Sequence, residues 1–281
     1  MILENSEILL TEPRGFCAGV ERAIEIVNRA VEIFDETIFV KHEVVHNKHV
    51  IEQLVEKGVV FVESLETVPD QSILIYSAHG VSKEISELAI KKRLKVFDAT
   101  CPLVTKVHFE IHKFASQNID VVLVGHSGHP EVEGTMGQYI SEKGKIHLVE
   151  TNDDIEKLKI ENKNIAYVTQ TTLSVDDTKS IVSCLKNKFP NIIGPRKDDI
   201  CYATQNRQEA VKKILEFCDS LIVVGSQNSS NSQRLREIGV QYGIKSYLID
   251  DINQININDL SGDKIIGITA GASAPEDTVA S

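Results

Sequence analysis

Three cysteines stand at the same kind of junction, where a short apolar run gives way to a helical pattern. Cys17 follows the apolar residues 8–10, Cys101 follows residues 94–97, and Cys201 follows Ile200. Apolar runs that alternate with amphipathic helices are typical of α/β architecture with parallel strands. We therefore expect three similar α/β lobes that face one centre, each with a cysteine at the carboxyl end of a strand.

The stretch around Cys101 shows this junction most clearly. Residues 94–97 predict a short buried strand, and Pro102 stands where helices tolerate proline best, at the first helical position. The helix that follows has an apolar face at helical spacing, made of Val104, Val107, Ile111 and Phe114. The exposed N–H groups at the start of such a helix favour an anionic ligand.

Five other apolar runs end in loops that are rich in Gly, Ser, Thr, Asn, Gln and His. These loops are residues 77–80, 125–131, 169–174, 225–232 and 269–275. Because ligands of open α/β sheets bind outside the carboxyl ends of the strands, the loops predict one polar ligand site. The lobes are expected at residues 1–100, 101–197 and 198–281, each with one of the three cysteines.

Composition narrows the classes of partner. The chain of 281 residues has a formal net charge of −11, which argues against nucleic acid and against anionic membrane surfaces. No apolar run approaches the roughly 20 residues of a membrane span. The first residues show neither the basic nor the apolar region of a secretory signal. These features predict a cytoplasmic protein.

The cysteines leave several kinds of site open. Structural zinc sites usually draw on close cysteine pairs, and none is present among the five cysteines. Three isolated thiolates suit a 4Fe-4S cluster with one open iron. A zinc site, a catalytic thiol and unrelated buried cysteines remain alternatives. Cys184 and Cys218 lie in helical patterns among apolar neighbours, and we expect them to be buried.

Two further sequence features indicate a candidate phosphate site and a candidate proton donor. Residues 228–232 and 269–273 combine hydroxyl, amide and free backbone N–H groups, which can hold a phosphate group or simply cap helices. Glu131 follows His129 and Pro130 in a Gly-rich turn with few nearby cations. In a closed pocket its carboxyl group would deliver protons near neutral pH; the alternative is that it stabilises the start of a helix.

Nine motifs then occur in the order found in one enzyme family. They are GFCAGV (15–20), VHN (45–47), SAHGV (77–81), DATCP (98–102), GHxxHPE (125–131), TQTTLS (169–174), CxATQxRQ (201–208), NSSNS (228–232) and TAGAS (269–273). From about residue 8 to residue 275 the chain resembles the 4-hydroxy-3-methylbut-2-enyl diphosphate reductases of the non-mevalonate isoprenoid pathway.

This resemblance implies a trefoil of three α/β lobes around a 4Fe-4S cluster, with Cys17, Cys101 and Cys201 as its ligands. The open iron would bind the 4-hydroxyl group of the substrate. Glu131, with Thr171 beside it, would relay protons to that hydroxyl. The residues implied for binding the diphosphate are His46, His79, His129, Ser229, Ser230, Asn231 and Ser273.

The implied reaction is a reductive dehydroxylation to isopentenyl and dimethylallyl diphosphate by two one-electron steps. Because no nucleotide-binding motif is present, the electrons would come from a ferredoxin or a flavodoxin. The alternatives are a cluster-dependent hydro-lyase without net reduction and a non-catalytic iron–sulfur sensor. The reductases continue past the turn at residues 270–275 with a further helix and tail, so we expect a short end here.

Overall fold

Parallel strands and intervening helices make up the protein in a computed structural model, which describes residues 6–280. The first five residues, which bear on the leader prediction, and Ser281 lie outside the described residues. The strands are β1 (Glu7–Leu10), β2 (Ile38–Lys41), β3 (Val60–Val62), β4 (Ile73–Tyr76), β5 (Lys95–Asp98), β6 (Asp120–Val124), β7 (Ile146–Val149), β8 (Ile165–Thr169), β9 (Ser220–Val224), β10 (Lys245–Ile249) and β11 (Ile265–Ala270).

The helices connect and cover these strands. They are α1 (Ala18–Ile33), α2 (Lys48–Glu56), α3 (Lys83–Lys91), α4 (Pro102–Ser116), α5 (Pro130–Gly137), α6 (Asn152–Lys157), α7 (Val175–Lys188), α8 (Tyr202–Leu215), α9 (Ser230–Gln241) and α10 (Glu276–Ala280). Short 3₁₀ turns occur at Leu65–Thr67, Ile252–Gln254 and Ile257–Leu260.

The strands form three sheets whose pairings are all parallel. The N-terminal sheet has the order β3-β2-β4-β5, the middle sheet β7-β6-β8, and the C-terminal sheet β1-β11-β9-β10. Parallel sheets need helical crossovers, which the alternating helices supply. The predicted α/β class with three lobes is confirmed.

Apolar side chains of helices and central strands form the cores. All five residues of β6 are buried, as are all five of β8 and β9. The predicted apolar face of α4 is confirmed, because Val104, Val107, Ile111 and Phe114 are all buried. In residues 6–280 no helix is both long and apolar enough to cross a membrane.

The strand before Cys101 differs from the prediction. β5 exists, but all four of its residues are exposed, so the expectation of a buried strand was wrong. The reason is its position at the edge of the N-terminal sheet, where it pairs only with β4. Two exposed apolar residues of β5, Val96 and Phe97, produced the buried-strand signal.

The chain divides into two compact units. The larger unit comprises residues 22–44 and 54–201 and contains the N-terminal and middle sheets. The smaller unit comprises residues 6–21, 45–53 and 202–280 and contains the C-terminal sheet. β1 pairs with β11, so the first strand of the chain belongs to the sheet formed by the last strands. The lobe boundaries near residues 100 and 198 stay a prediction.

Candidate functional site

Each of the three cysteines directly precedes the first residue of a helix. Cys17 precedes α1, Cys101 precedes α4 and Cys201 precedes α8. The Cys17 and Cys101 carbonyl groups accept the first helical hydrogen bonds, from Glu21 N and Thr105 N, both at 2.9 Å. All three cysteines are partly exposed and none forms a disulfide bond. The predicted position before a helix is confirmed for all three. A strand precedes Cys17 and Cys101, but Cys201 follows α7 and an irregular segment with a single bridge at Ile193, so the prediction of a strand there was wrong.

The backbone N–H group of each cysteine donates to a carbonyl group in a polar loop that follows another strand. Within the larger unit, Cys101 N donates to Ala78 O at 2.9 Å and Cys201 N donates to Thr171 O at 3.0 Å. Within the smaller unit, Cys17 N donates to Ala272 O at 3.1 Å. Each cysteine is therefore held against a loop that carries predicted substrate residues.

Buried polar side chains hold two of these cysteine turns in place. In the smaller unit, Arg207 is 4% exposed and donates to Gly15 O at 2.6 Å and to Phe16 O at 3.1 Å, just before Cys17. In the larger unit, Asp199 accepts hydrogen bonds from Thr169 N at 3.0 Å and Lys106 Nζ at 2.9 Å. We did not predict these roles from sequence.

Glu131 and Thr171 form a buried pair in the larger unit. Thr171 N donates to one Glu131 carboxylate oxygen at 2.6 Å, and Thr171 Oγ1 donates to the other at 2.9 Å. Glu131 is 3% exposed, and this burial raises the pKa of its carboxyl group to about 7, against the opposing effect of both bonds from Thr171. The closed environment expected for Glu131 is therefore present, while its role as a proton donor stays a prediction.

Two of the predicted histidines lie beside this pair, at the ends of β4 and β6. The His79 and His129 rings meet edge to face with centroids 5.7 Å apart. His129 is the N-cap of α5, and its Nδ1 accepts a hydrogen bond from Glu131 N at 3.1 Å. Because Nδ1 is an acceptor, the proton of the neutral ring is on Nε2, which is then a donor.

The turn that carries His79 depends on a glycine. Gly80 has a φ of 76°, and a Cβ atom there would lie 2.7 Å from Cε1 of the buried His108. Glycine therefore permits both the left-handed backbone and the close approach of α4. His108 itself is buried at the packed face of α4.

The smaller unit brings together the remaining predicted residues. Ser229 is the N-cap of α9, where its Oγ accepts from Ser232 N at 3.3 Å and from Ser232 Oγ at 3.1 Å. Asn231 Oδ1 accepts from Ala272 N at 2.8 Å, so α9 is joined to the loop after β11. Ser230 is the first residue of α9 and is partly buried.

The loop after β11 also reaches the segment that carries His46. Ser273 Oγ donates to His46 O at 2.8 Å. In this arrangement the Ser273 hydroxyl donates its one hydrogen to the carbonyl group. It could therefore donate to an anion only after that hydrogen bond breaks. Ser229 differs, because its oxygen accepts two bonds and its own hydrogen can still be donated.

Three partly exposed cysteine thiols are a donor set of the kind that holds an iron–sulfur cluster. Among residues 6–280 no group of three His, Cys, Asp or Glu side chains is close enough to hold one ion. Cys218 is buried, and burial raises the pKa of its thiol, while Cys184 packs against the core of the middle lobe. The expected burial is therefore confirmed for Cys218, while Cys184 is only partly buried.

Comparison with known proteins gives concordant matches over nearly the whole chain. The family model described as "LytB protein" matches residues 8–281. The chain is 61% identical to the 4-hydroxy-3-methylbut-2-enyl diphosphate reductase of Methylococcus capsulatus over 96% of this chain and 87% of that protein.

Two solved structures also match. The E-1-hydroxy-2-methyl-but-2-enyl-4-diphosphate reductase from Plasmodium falciparum has a TM-score of 0.94 at 44% identity, covering 98% of this chain and 86% of that one. A structure of (E)-4-hydroxy-3-methyl-but-2-enyl diphosphate reductase, described as the terminal enzyme of the non-mevalonate pathway, has a TM-score of 0.69 at 32% identity, covering 97% and 96%.

Proposed function

The chain belongs to the LytB protein family, and on that premise we propose that it is a 4-hydroxy-3-methylbut-2-enyl diphosphate reductase. The proposed reaction removes the 4-hydroxyl group of (E)-4-hydroxy-3-methylbut-2-enyl diphosphate and yields isopentenyl and dimethylallyl diphosphate. The observation that carries the proposal is the position of Thr171. Its N–H and hydroxyl groups donate to Glu131, and its carbonyl group accepts from Cys201 N.

Cys17, Cys101 and Cys201 are the proposed ligands of a 4Fe-4S cluster. Their shared position before a helix and the anchoring of each backbone N–H group support this assignment. When bound, such a cluster supplies electrons one at a time and an open iron that polarises a hydroxyl group.

Glu131 is the proposed proton donor to the leaving hydroxyl group. Hydroxide is a poor leaving group, and a carboxyl group whose pKa is about 7 is about half protonated at neutral pH, which suits a general acid. The two hydrogen bonds from Thr171 fix both carboxyl oxygens, which keeps the acid oriented between turnovers. The substrate hydroxyl group then needs one proton from the Glu131 carboxyl group to leave as water.

The diphosphate is the proposed partner of the polar loops. A histidine that donates from Nε2, as in the ring of His129, suits a phosphate oxygen. Serine hydroxyl groups and the N–H groups at the start of α9 add neutral donors. The full proposed set is His46, His79, His129, Ser229, Ser230, Asn231, Ser273 and, next to the reacting hydroxyl, Thr171.

The proposed electron donor is a small one-electron carrier such as a ferredoxin or a flavodoxin. The reaction consumes two electrons and two protons for each hydroxyl group that leaves as water. The cytoplasmic location stays a prediction.

Anaerobic purification with iron and sulfide analysis tests the cluster assignment. We expect about four irons per chain and a broad absorbance band near 400 nm. The Cys101→Ser variant should lose most of this iron, whereas Cys184→Ser is the matched control and should keep it. Iron-replete Cys101→Ser protein would contradict the ligand assignment.

Turnover with dithionite, methyl viologen and the hydroxylated diphosphate tests the reaction itself. We expect both isomeric diphosphates and no product when the reductant is omitted. Dehydration or hydration products that form without any electron donor would instead establish a hydro-lyase. A cluster-loaded protein that converts nothing would favour the sensor.

A further inference from the structure

A groove of about 900 Å³ lies beside α4 in the larger unit, outside the substrate residues described above. Residues of α4, the segment 193–196, Asp98 and Arg22 line it. The groove is open at the surface, since Phe109 on α4 is 69% exposed and Ile193 is 45% exposed. Large exposed apolar side chains with a polar surround are typical of a surface that a partner protein covers.

The rim of the groove is positive, although the chain as a whole is acidic. Arg22, Lys113 and Arg196 line it and are exposed, in a chain with a formal net charge of −11. Lys106 also lines it, but its ammonium group is held by the buried carboxylate of Asp199 at 2.9 Å.

Two acidic residues in the groove weaken this positive charge only in part. Asp98 is an exposed carboxylate on the rim, and one of its oxygens accepts a hydrogen bond from Thr100 N at 2.8 Å. Glu110 lies among Lys106, Lys113 and Arg196, and burial together with nearby Asp199 raises the pKa of its carboxyl group. The exposed part of the rim therefore presents three cations, Arg22, Lys113 and Arg196, and one carboxylate, Asp98, to an approaching surface.

The groove extends to the residues on either side of Cys101. Thr100 and Pro102 both line it, and each is joined to Cys101 by one peptide bond. Arg22 donates to Thr100 O at 3.2 Å and to Asp98 O at 3.3 Å, so a rim cation is fixed to the same turn. A partner in the groove would come close to the backbone of a proposed cluster ligand.

We propose that this groove is the docking surface for a small acidic protein that carries one electron at a time. The inference rests on the proposed reductase function and adds the place where the electrons enter. An acidic face complements the exposed rim cations, and the apolar residues Phe109 and Ile193 supply the buried centre. A long polyanion such as nucleic acid fits less well, because the net negative charge repels it beyond the groove.

The electron balance is complete with this partner. Each docking event oxidises one carrier by one electron, and two events supply the pair that one substrate molecule needs. The substrate takes up these two electrons and two protons, loses its C–O bond and releases one water molecule. No other oxidant or reductant takes part.

Charge reversal on the rim tests the proposal in the cluster-loaded enzyme. The variant is K113E/R196E, and the matched control is K143E/K163E, which reverses two exposed lysines elsewhere in the same unit. The probe is a purified acidic 2Fe-2S ferredoxin kept reduced at low ionic strength. A second assay replaces it with dithionite and methyl viologen, which need no docking surface.

With the ferredoxin, we expect the kcat/KM of K113E/R196E for the carrier to fall at least about tenfold, and the control to stay within about twofold of wild type. Added salt should lower the wild-type value and leave the variant nearly unchanged, because salt screens the attraction. With methyl viologen all three proteins should turn over at similar rates. The binding of oxidised ferredoxin, measured by calorimetry, should weaken in parallel.

Several results would overturn the docking surface. Equal ferredoxin kinetics for K113E/R196E and wild type would do so, as would equal losses in variant and control. A change of sedimentation coefficient in K113E/R196E without a change in ferredoxin kinetics would assign the groove to a second copy of the chain. Absence of wild-type turnover with methyl viologen would instead refute the reductase function, so the two failures are distinguishable.

Discussion

Thr171 joins the candidate acid to a candidate cluster ligand within a single residue. Its side chain and N–H group determine the position of Glu131, and its carbonyl group determines that of Cys201. A shift of this residue would therefore move the proposed proton donor and a proposed metal ligand together. The pair also makes the Glu131 carboxyl group the clearest subject for substitution.

Glu131→Gln keeps the shape of the side chain and removes its proton. The amide can still accept from Thr171 N and can donate to Thr171 Oγ1, so the loop should be preserved. We expect kcat to fall by about 10²–10⁴-fold, the usual contribution of a positioned general acid. Iron content and the absorbance spectrum should not change. Glu133→Gln, on the exposed side of the same helix, is the control and should turn over normally.

The same substitution should also change how the melting temperature of the protein depends on pH. The pKa of Glu131 is raised in the folded state to about 7, so the folded protein binds the proton more tightly than the unfolded chain. Its favourable contribution is complete below the unfolded value near 4.5 and is lost as the pH rises through about 7. The melting temperature of Glu131→Gln relative to wild type should therefore increase between pH 5 and pH 8. A pH-independent difference would contradict the raised pKa.

The candidate acid and the candidate histidines were easier to identify from the sequence than the residues whose hydrogen bonds hold the cysteine turns in place. Glu131 and the histidines stand in turns whose composition identifies them, and the family motifs include them. Arg207 stands in the CxATQxRQ motif and Asp199 just before it, yet neither position indicates which groups these side chains contact. Arg207 reaches a carbonyl group 192 residues away. Such contacts depend on the tertiary fold, and no local pattern carries them.

At the level of elements, the loop after β11 meets α9 at Ser232. A Cβ atom at Gly271 would lie 2.0 Å from Ser232 Oγ and 3.2 Å from Ser232 Cβ. The absence of a side chain at this position therefore allows the loop after β11 to pack against α9. The Asn231–Ala272 hydrogen bond depends on the same approach.

Gly271→Ala should accordingly destabilise the protein by about 1–3 kcal/mol, the usual cost of overpacking a tight site. The double variant Gly271→Ala/Ser232→Ala removes the atom at 2.0 Å and should recover much of the loss. Urea unfolding of the single variants and the double variant measures this coupling. Additive effects of the two substitutions would show that the contact is not the cause.

The pairing of strands was less predictable than their existence. The apolar pattern at residues 8–10 indicates a strand but does not say which sheet it joins, and β1 pairs with β11 near the other end of the chain. The run at residues 94–97 is apolar enough for a core strand, yet β5 lies at a sheet edge. Pairing and edge position are decided by long-range packing, which local propensity does not encode.

At the level of the whole molecule, the proposed cluster should contribute to folding stability. Ligands that bind the native state alone stabilise it, and bound metals commonly do so through thiolates. We expect anaerobic removal of iron with a chelator to lower the melting temperature of the wild-type protein by several degrees. The chelator should leave the melting temperature of Cys101→Ser unchanged, because that variant starts without the metal. An equal effect on both proteins would mean that the chelator acts elsewhere.

The anchoring of the three cysteine N–H groups has a consequence for protein design. Each proposed ligand position is held by a second loop, at Ala78, Thr171 or Ala272, in addition to its own sequence motif. A synthetic peptide that copies only the DATCP pentapeptide would lack the carbonyl group that accepts from the cysteine N–H group. Transplanting this ligand set into another scaffold would therefore require six backbone segments to be rebuilt in register, which sets a minimum size for any miniature version of the enzyme.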